Sequence, residues 1–185
     1  MTLTTPRLIL RPWTENDAPA LYRHASNPAL GQAAGWPPHT SVEESLNIIR
    51  TVFSAPETYA IILKSTGEPI GCCGLLFGQN SNLSNIPDSE AEIGYWLAQP
   101  YWGQAITPEA ANALIDHAFT TLSLSKIWLS HYIENTRSQR VAQKCGFTYH
   151  HTSIDTSTTP PRATLFHCIQ NPNHKRINAP SQKEN

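Results

Sequence analysis

The sequence contains no run of 18 consecutive apolar residues, and it does not open with a basic segment followed by a long apolar stretch. A helix needs about 20 apolar residues to cross a bilayer, so we predict neither a membrane span nor an export signal. Charge is also scarce, because only 15% of the 185 residues are charged and the formal net charge is −1. The charges are scattered, so a nucleic acid or a membrane surface is not an expected partner.

The sequence also lacks the residue spacings that hold metals or form redox pairs. The sequence has four cysteines, namely Cys72, Cys73, Cys145 and Cys168, and none of them forms a C-x-x-C pair. We interpret them as reduced core thiols of a cytoplasmic protein. The adjacent His150 and His151 should point to opposite faces of a strand, so we predict no metal site.

The sequence does contain segments with strand and helix periodicity, in the order β-α-α-β-β-β-α-β-α-β with a last strand near residues 162–170. The first strand is predicted over residues 3–11, and the Gly- and Pro-rich residues 27–40 are predicted to be an irregular loop. A hairpin followed by strands that alternate with helices indicates a mixed sheet. We expect one domain, residues 1–170, and a polar, disordered tail, residues 171–185.

The segment YWGQAITPEA, residues 101–110, joins a predicted strand to an amphipathic helix. Thr107 suits the N-cap of that helix and Pro108 its first position. A glycine turn that leads into a helix N-terminus can bind phosphate, since the first N–H groups of the helix have no partner and the helix dipole is positive there. The alternative is a well-capped helix with no ligand.

Two separated motifs, EIGYWLAQPYWGQAITPEA at residues 92–110 and ENTRSQRVAQKCGF at residues 134–147, resemble those of the GNAT superfamily of N-acetyltransferases, in particular its RimJ/RimL type. The likeness extends from TPRLILRPW near the start to about Ile169. It implies an α+β fold in which about four helices flank a central mixed, mostly antiparallel twisted sheet. It also implies transfer of an acetyl group from acetyl coenzyme A to a primary amine by direct attack in a ternary complex.

The resemblance assigns the turn to the pyrophosphate of acetyl coenzyme A, which would be bound by backbone N–H groups. It assigns to Asn135, which also suits the N-cap of the following helix, a contact with the pantetheine arm. Here Ala105 and Pro108 replace the family's usual Gly and Thr, and both changes should weaken cofactor binding. The residues at the positions of the turn are Trp102, Gly103, Gln104, Ala105, Ile106 and Thr107.

Glu92 lies in the middle of a predicted strand, on the same face as Trp96, where a carboxylate is unusual. The resemblance makes it a candidate general base for the substrate ammonium, and the alternative is a structural or substrate contact without proton transfer. Ala142 stands where many GNAT enzymes carry the tyrosine that protonates the leaving thiolate. Ser138 is therefore the candidate acid, against the alternative of an ordinary first-turn serine.

The acceptor site is predicted at Trp36, a large apolar residue in the loop between the first two predicted helices, because the resemblance implies that this segment flanks the acceptor entrance. We expect Trp36, with Tyr95 or Trp96, to line an aromatic and weakly charged substrate pocket, unless Trp36 packs into the core. The resemblance implies a protein N-terminal α-amine or a small amine as the acceptor, and we expect a monomer or a homodimer. Two alternatives stay open, a catalytically silent coenzyme A-binding module and a structural protein that binds no nucleotide.

Overall fold

In the computed structural model, which describes residues 1–83 and 85–173, the described residues form one eight-stranded sheet and five α-helices. The strands are β1 (Leu3–Thr4), β2 (Leu8–Pro12), β3 (Thr58–Leu63), β4 (Pro69–Leu76), β5 (Glu90–Leu97), β6 (Lys126–Tyr132), β7 (Thr148–Asp155) and β8 (Arg162–Gln170). The helices are α1 (Ala18–Ala25), α2 (Pro28–Ala34), α3 (Val42–Thr51), α4 (Ile106–Thr120) and α5 (Thr136–Lys144).

The strand order in the sheet is β1-β2-β3-β4-β5-β6-β8-β7. All neighbouring strands are antiparallel except β5 and β6, which are parallel and are connected through α4. The predicted α+β fold with a mixed, mostly antiparallel sheet is confirmed. The predicted hairpin is also confirmed, as β3 and β4.

The single strand predicted over residues 3–11 is wrong, because the chain reverses direction inside it. Leu3 pairs with Leu10 and Thr4 with Ile9, so β1 and β2 form a small antiparallel hairpin. Thr5 closes the turn, since its backbone N–H donates to the carbonyl of Leu8 and its hydroxyl accepts from the Leu8 N–H. Pro6 has no N–H to donate in a continuous ladder. The apolar alternation therefore indicated the strands, whereas the proline indicated the turn between them.

The irregular loop predicted over residues 27–40 is also wrong in its first half, where α2 forms. Asn27 is the N-cap, and its side chain accepts from the N–H of Ala29. Pro28 occupies the first helical position, where its missing N–H costs nothing. Gly35 ends the helix in the left-handed conformation, with φ at 82°. The same Pro and Gly that indicated a loop therefore mark the two ends of a short helix.

Helix α4 packs on one face of the sheet and forms the larger of the two main core clusters. Its buried side chains Leu114 and Ala118 meet the inward residues of β5, Ala91 and Ile93. Trp96 faces the other side, where it joins a second cluster with Trp13 beneath α1 and α3. The predicted alternation of the two faces of β5 is thus confirmed, and it places Glu92 on the side of Trp96.

Residues 174–185 of the predicted tail lie outside the described residues, and the domain boundary stays a prediction. Before them, Asn171 is buried, and its side-chain amide donates to the carbonyls of Phe119 and Leu124. Within residues 1–83 and 85–173, no helix has the length and apolar character needed to cross a bilayer.

An ion pair fixes the start of α1 against β2. Both guanidinium nitrogens of Arg11 donate to the carboxylate of Asp17, at 2.7 and 2.8 Å, and the backbone N–H of Thr14 donates to the same carboxylate. Burial alone would raise the pKa of Asp17, but the hydrogen bonds from Arg11 and Thr14 outweigh burial and lower it. The ionised form of Asp17 therefore stabilises the folded state.

We predict that Asp17→Asn lowers the free energy of unfolding by about 2 kcal/mol at pH 7, since it removes the charge from a buried set of hydrogen bonds. A lowered carboxyl pKa gives stability that is present above the unfolded pKa of about 3.9 and is lost as the pH falls through the folded pKa. The difference between wild type and variant in urea unfolding should thus shrink at pH 3. Glu15→Gln, in the exposed pair with Arg50, should change stability little. A difference that persists undiminished at pH 3 would contradict this account.

Candidate active site

The two parallel strands separate halfway along their length. Residues 90–92 of β5 pair with residues 126–128 of β6, and the ladder ends at Glu92 and Trp128. Beyond that point β5 stays paired with β4, whereas β6 stays paired with β8. The sheet therefore opens into a wedge between the second halves of β5 and β6.

Two cavities adjoin at this wedge. The larger one, of about 1030 Å³, lies on the side of Trp36, Glu92 and Ser130. The smaller one, of about 280 Å³, lies against the turn before α4 and the exposed side of α5. Four residues line both cavities, namely Tyr95, Trp96, Asn135 and Ser138. Two ligands, one in each cavity, would therefore meet at these four side chains.

The turn before α4 borders the smaller cavity, as a phosphate-binding turn would. Gly103 has φ at 78°, and Ala105 is also left-handed, with φ at 56° and ψ at 23°. The helix begins at Ile106, so the prediction that Thr107 is its N-cap is wrong, and Ala105 holds that place. Pro108 falls in the first turn, where its missing N–H would have had no partner within the helix.

Five of the six predicted turn residues line the smaller cavity, but Gln104 is not among its lining residues. Gln104 is exposed, its side-chain amide donates to the carbonyl of Pro100, and its own carbonyl accepts from Arg7. Arg7 also binds Glu109 through its side chain and its backbone N–H. Glu109 thus ties α4 to the β1–β2 turn.

Three cationic side chains border the smaller cavity, and the sequence analysis did not predict them there. Arg137, Arg140 and Lys144 all belong to the exposed side of α5. The Arg137 guanidinium lies 4.0 Å from the centre of the Trp102 ring, and the Trp102 indole N–H donates to the carbonyl of Leu97. The spacing i, i+3 and i+7 in the predicted helix was the available signal, since it places all three cations on one side.

Glu92 is buried in the wall of the larger cavity, only 2% exposed, and each of its oxygens accepts two hydrogen bonds. The Ser81 hydroxyl and the Asn82 backbone N–H bind Oε2 at 2.8 and 2.6 Å. The Asn82 side-chain amide binds Oε1 at 3.1 Å, and the Ser130 hydroxyl donates to the same oxygen. Ser130, whose hydroxyl can both donate and accept, lines the same cavity as Glu92.

Ser138 lies at the junction of the two cavities, in the first turn of α5. The Asn135 side-chain oxygen accepts from the Ser138 backbone N–H, so Asn135 is the N-cap that the sequence indicated. The Ser138 hydroxyl is 2.7 Å from the Tyr95 hydroxyl, and either atom can be the donor. Ala142, one turn further along α5, is buried and small.

Trp36 is half-buried, and both alternatives that the sequence left open, packing in the core and lining of a pocket, apply to it. It packs against the second core cluster, and its ring lies edge-on to Trp96 with centroids 6.4 Å apart. It also lines the larger cavity, together with Tyr95 and Trp96. The three aromatic residues predicted for the acceptor site are thus brought together, while their role in binding stays a prediction.

The four cysteines and the adjacent His150 and His151 were the other candidates for a nucleophile or a metal site. The four cysteines are free and buried, and burial raises the pKa of Cys145 to about 11. The expectation that His150 and His151 point to opposite faces is wrong, because a register shift brings their Nδ1 atoms to 2.9 Å. Across the described residues, no group of three or more His, Cys, Asp and Glu side chains could hold a metal ion.

A turn at a helix start that is bordered by cations and adjoins a separate cleft is compatible with a transferase. The family model described as "Acetyltransferase (GNAT) domain" matches residues 7–148. This chain therefore belongs to the GNAT acetyltransferase family, a family of acetyl-transferring enzymes, and the resemblance found in its motifs is confirmed.

Individual relatives agree with that assignment. The chain is 32% identical to the uncharacterized N-acetyltransferase p20 of Bacillus licheniformis over 151 residues, which cover 79% of this chain and 82% of the relative. It is 39% identical to the ribosomal-protein-serine acetyltransferase of Escherichia coli over 57 residues, 31% of this chain and 32% of that one. Its fold is similar to a GNAT-family acetyltransferase from Bacillus anthracis, with a TM-score of 0.77, 19% identity, and 92% and 99% of the two chains covered.

The left-handed Ala105 leads to a stability prediction. An alanine with positive φ costs about 1 kcal/mol relative to glycine, which adopts that conformation without strain. Ala105→Gly should therefore raise the free energy of unfolding in urea by about 1 kcal/mol. The same change at Ala110, inside α4 and fully buried, should lower it by at least that amount. A loss of stability in the Ala105 variant would show that the positive φ is not a source of strain.

Proposed function

We propose that this protein transfers the acetyl group of acetyl coenzyme A to a primary amine by direct attack in a ternary complex. The observation that carries the proposal is the junction of the two cavities at Tyr95 and Ser138. A thioester held in the smaller cavity and an amine held in the larger one would meet there. Such positioning of two reactants removes much of the entropic barrier to their reaction.

The smaller cavity suits the phosphates of coenzyme A. The first N–H groups of α4, at Ile106 and Thr107, offer backbone donors, and the cations of α5 supply compensating charge. Asn135, which lines both cavities, would contact the pantetheine arm. When bound, acetyl coenzyme A would supply the activated acetyl group, while the protein positions it and manages protons.

The larger cavity suits an acceptor bigger than a simple amine. Its volume of about 1030 Å³ is at the upper end of small-molecule sites, which have about 300–1000 Å³. The aromatic walls formed by Trp36 and Trp96 favour a weakly charged acceptor such as the N-terminus of a flexible peptide. The short match to a ribosomal-protein-serine acetyltransferase supports a protein N-terminal α-amine, with a small amine as the alternative.

Two hydroxyl groups would handle the protons at opposite ends of the junction. Ser130 donates its proton to Glu92 and accepts from the Asn82 side-chain amide at 3.4 Å, so one lone pair remains to accept a proton from the acceptor ammonium before the amine attacks. Glu92 is then a general base that acts through Ser130 rather than directly. Ser138, buried at the junction, would protonate the thiolate that leaves.

The proposal is tested by two measurements on the purified protein. Coenzyme A at about 100 times its Kd should stabilise the fold by about 2.7 kcal/mol in a thermal-shift assay. Thiol release from acetyl coenzyme A should then depend on an acceptor from a panel of peptides with free N-termini, N-terminally blocked copies of the same peptides, and polyamines. Binding without acceptor-dependent release would identify a silent coenzyme A-binding module, and the absence of binding would exclude both functions.

A further prediction separates the base from a structural role of Glu92. Glu92→Gln and Ser130→Ala should each lower kcat roughly tenfold at pH 7, where only about a tenth of an α-amine is unprotonated. Activity should recover as the pH rises above about 8, the pKa of an α-amino group, because the amine then needs no base. If the variants lose activity only because their packing is damaged, the loss should be equal at all pH values, and that result would refute Glu92 as a general base.

A further inference from the structure

Tyr95 enters the junction of the two cavities from the strand opposite Ser138. It follows the last paired residues of β5 and β6, so its side chain lies where the wedge opens. Its ring packs against the main core cluster, while its hydroxyl meets the Ser138 hydroxyl at 2.7 Å. The contact joins residues 43 positions apart in the sequence, on β5 and α5.

The environment of Tyr95 keeps its hydroxyl protonated. Burial raises the pKa of Tyr95, and the neighbouring thiols Cys73 and Cys145 raise it further, while the Ser138 hydrogen bond opposes them in part. Burial also raises the pKa of both thiols, so they remain neutral neighbours near pH 7. A protonated phenol can donate to Ser138, and that donation leaves the proton of Ser138 free to point elsewhere.

We propose that Tyr95 is the positioning residue and proton source of Ser138, an inference that rests on the proposed acetyl transfer. When the carbon–sulfur bond breaks, Ser138 gives its proton to the sulfur and takes the proton of Tyr95. The Tyr95 oxygen regains a proton from solvent. The ammonium loses two protons as it becomes an amide, so one replaces the proton given to sulfur and one is released.

Residue 142 cannot supply a proton-donating partner for Ser138 from α5, so that partner would come from another element, here the strand β5. The side chain of Ala142 carries no hydroxyl, and its position in α5 is one turn beyond Ser138. A serine hydroxyl is intrinsically a weak acid, so it benefits from a second donor that stabilises the oxygen as its own proton leaves. The phenol of Tyr95 is the hydroxyl that the structure places within hydrogen-bond distance of Ser138, and it is able to donate.

The test compares four proteins: wild type, Tyr95→Phe, Ser138→Ala and the double variant. Tyr95→Phe keeps the ring and removes only the hydroxyl. It should lower kcat roughly tenfold to hundredfold and leave the KM for acetyl coenzyme A nearly unchanged. In the Ser138→Ala background, Tyr95→Phe should have little further effect, because a residue that acts through another has nothing left to act on.

Tyr59→Phe is the matched control. Tyr59 lies two strands away on the same face of the sheet, in register through Cys73, and its hydroxyl donates to Glu57 outside both cavities. Its removal should leave kcat within about twofold of wild type. Equal kcat in wild type and Tyr95→Phe would overturn the inference. Additive losses in the double variant would also overturn it, since Tyr95 would then act independently of Ser138.

Failure of the proposed function would be visible separately. If the wild-type protein binds coenzyme A but releases no thiol, binding of coenzyme A and desulfo-coenzyme A at pH 9 decides the inference. At pH 9 a thiol with a pKa of about 8.5 is partly ionised to the thiolate. The ratio of the Kd for desulfo-coenzyme A to the Kd for coenzyme A should therefore be roughly tenfold larger in wild type than in Tyr95→Phe. An equal preference in the two proteins would overturn the inference, and so would a wild-type protein that binds neither compound.

Discussion

The hydrogen bond from Ser130 to Glu92 is the last link between β5 and β6, and the candidate site exists because the ladder ends there. The paired residues of the two strands stop at Glu92 and Trp128, while each strand remains held by its other neighbour. The wedge is therefore a property of the whole sheet, which no single loop could close. Both cavities, and every residue assigned to chemistry, are arranged around this opening.

A buried carboxylate at that point is stable only because it is fully hydrogen-bonded. An ionised group in an apolar wall is costly, and donors from Ser81, Asn82 and Ser130 offset that cost. The same bonds hold the segment after β4 against β5 and so shape one wall of the larger cavity. Structure and proton transfer are thus compatible roles for Glu92, provided that the proton travels through Ser130.

The sequence predicted the features that depend on local patterns. The faces of β5, the apolar stripe of α4 and the N-cap at Asn135 are encoded by neighbouring residues, and the structure has each of them. The hairpin at Thr5 and helix α2 were missed, because Pro and Gly mark turns and helix ends alike. The donors to Glu92 and the hydroxyl pair of Tyr95 and Ser138 were also missed. Those contacts join distant segments, and only the register of the sheet decides them.

The turn before α4 departs from its family's usual sequence at Ala105, and contacts around it hold that residue in the left-handed conformation. A non-glycine residue stays left-handed only where its surroundings impose that conformation. Around Ala105, Arg7 holds the carbonyl of Gln104 and the carboxylate of Glu109, on either side of the strained residue. Trp102 is fixed by its bond to Leu97 and by the Arg137 guanidinium. These contacts hold the N–H groups at the start of the helix in position, and the partners that balance the strain of Ala105, namely Arg7, Leu97 and Arg137, lie outside the turn.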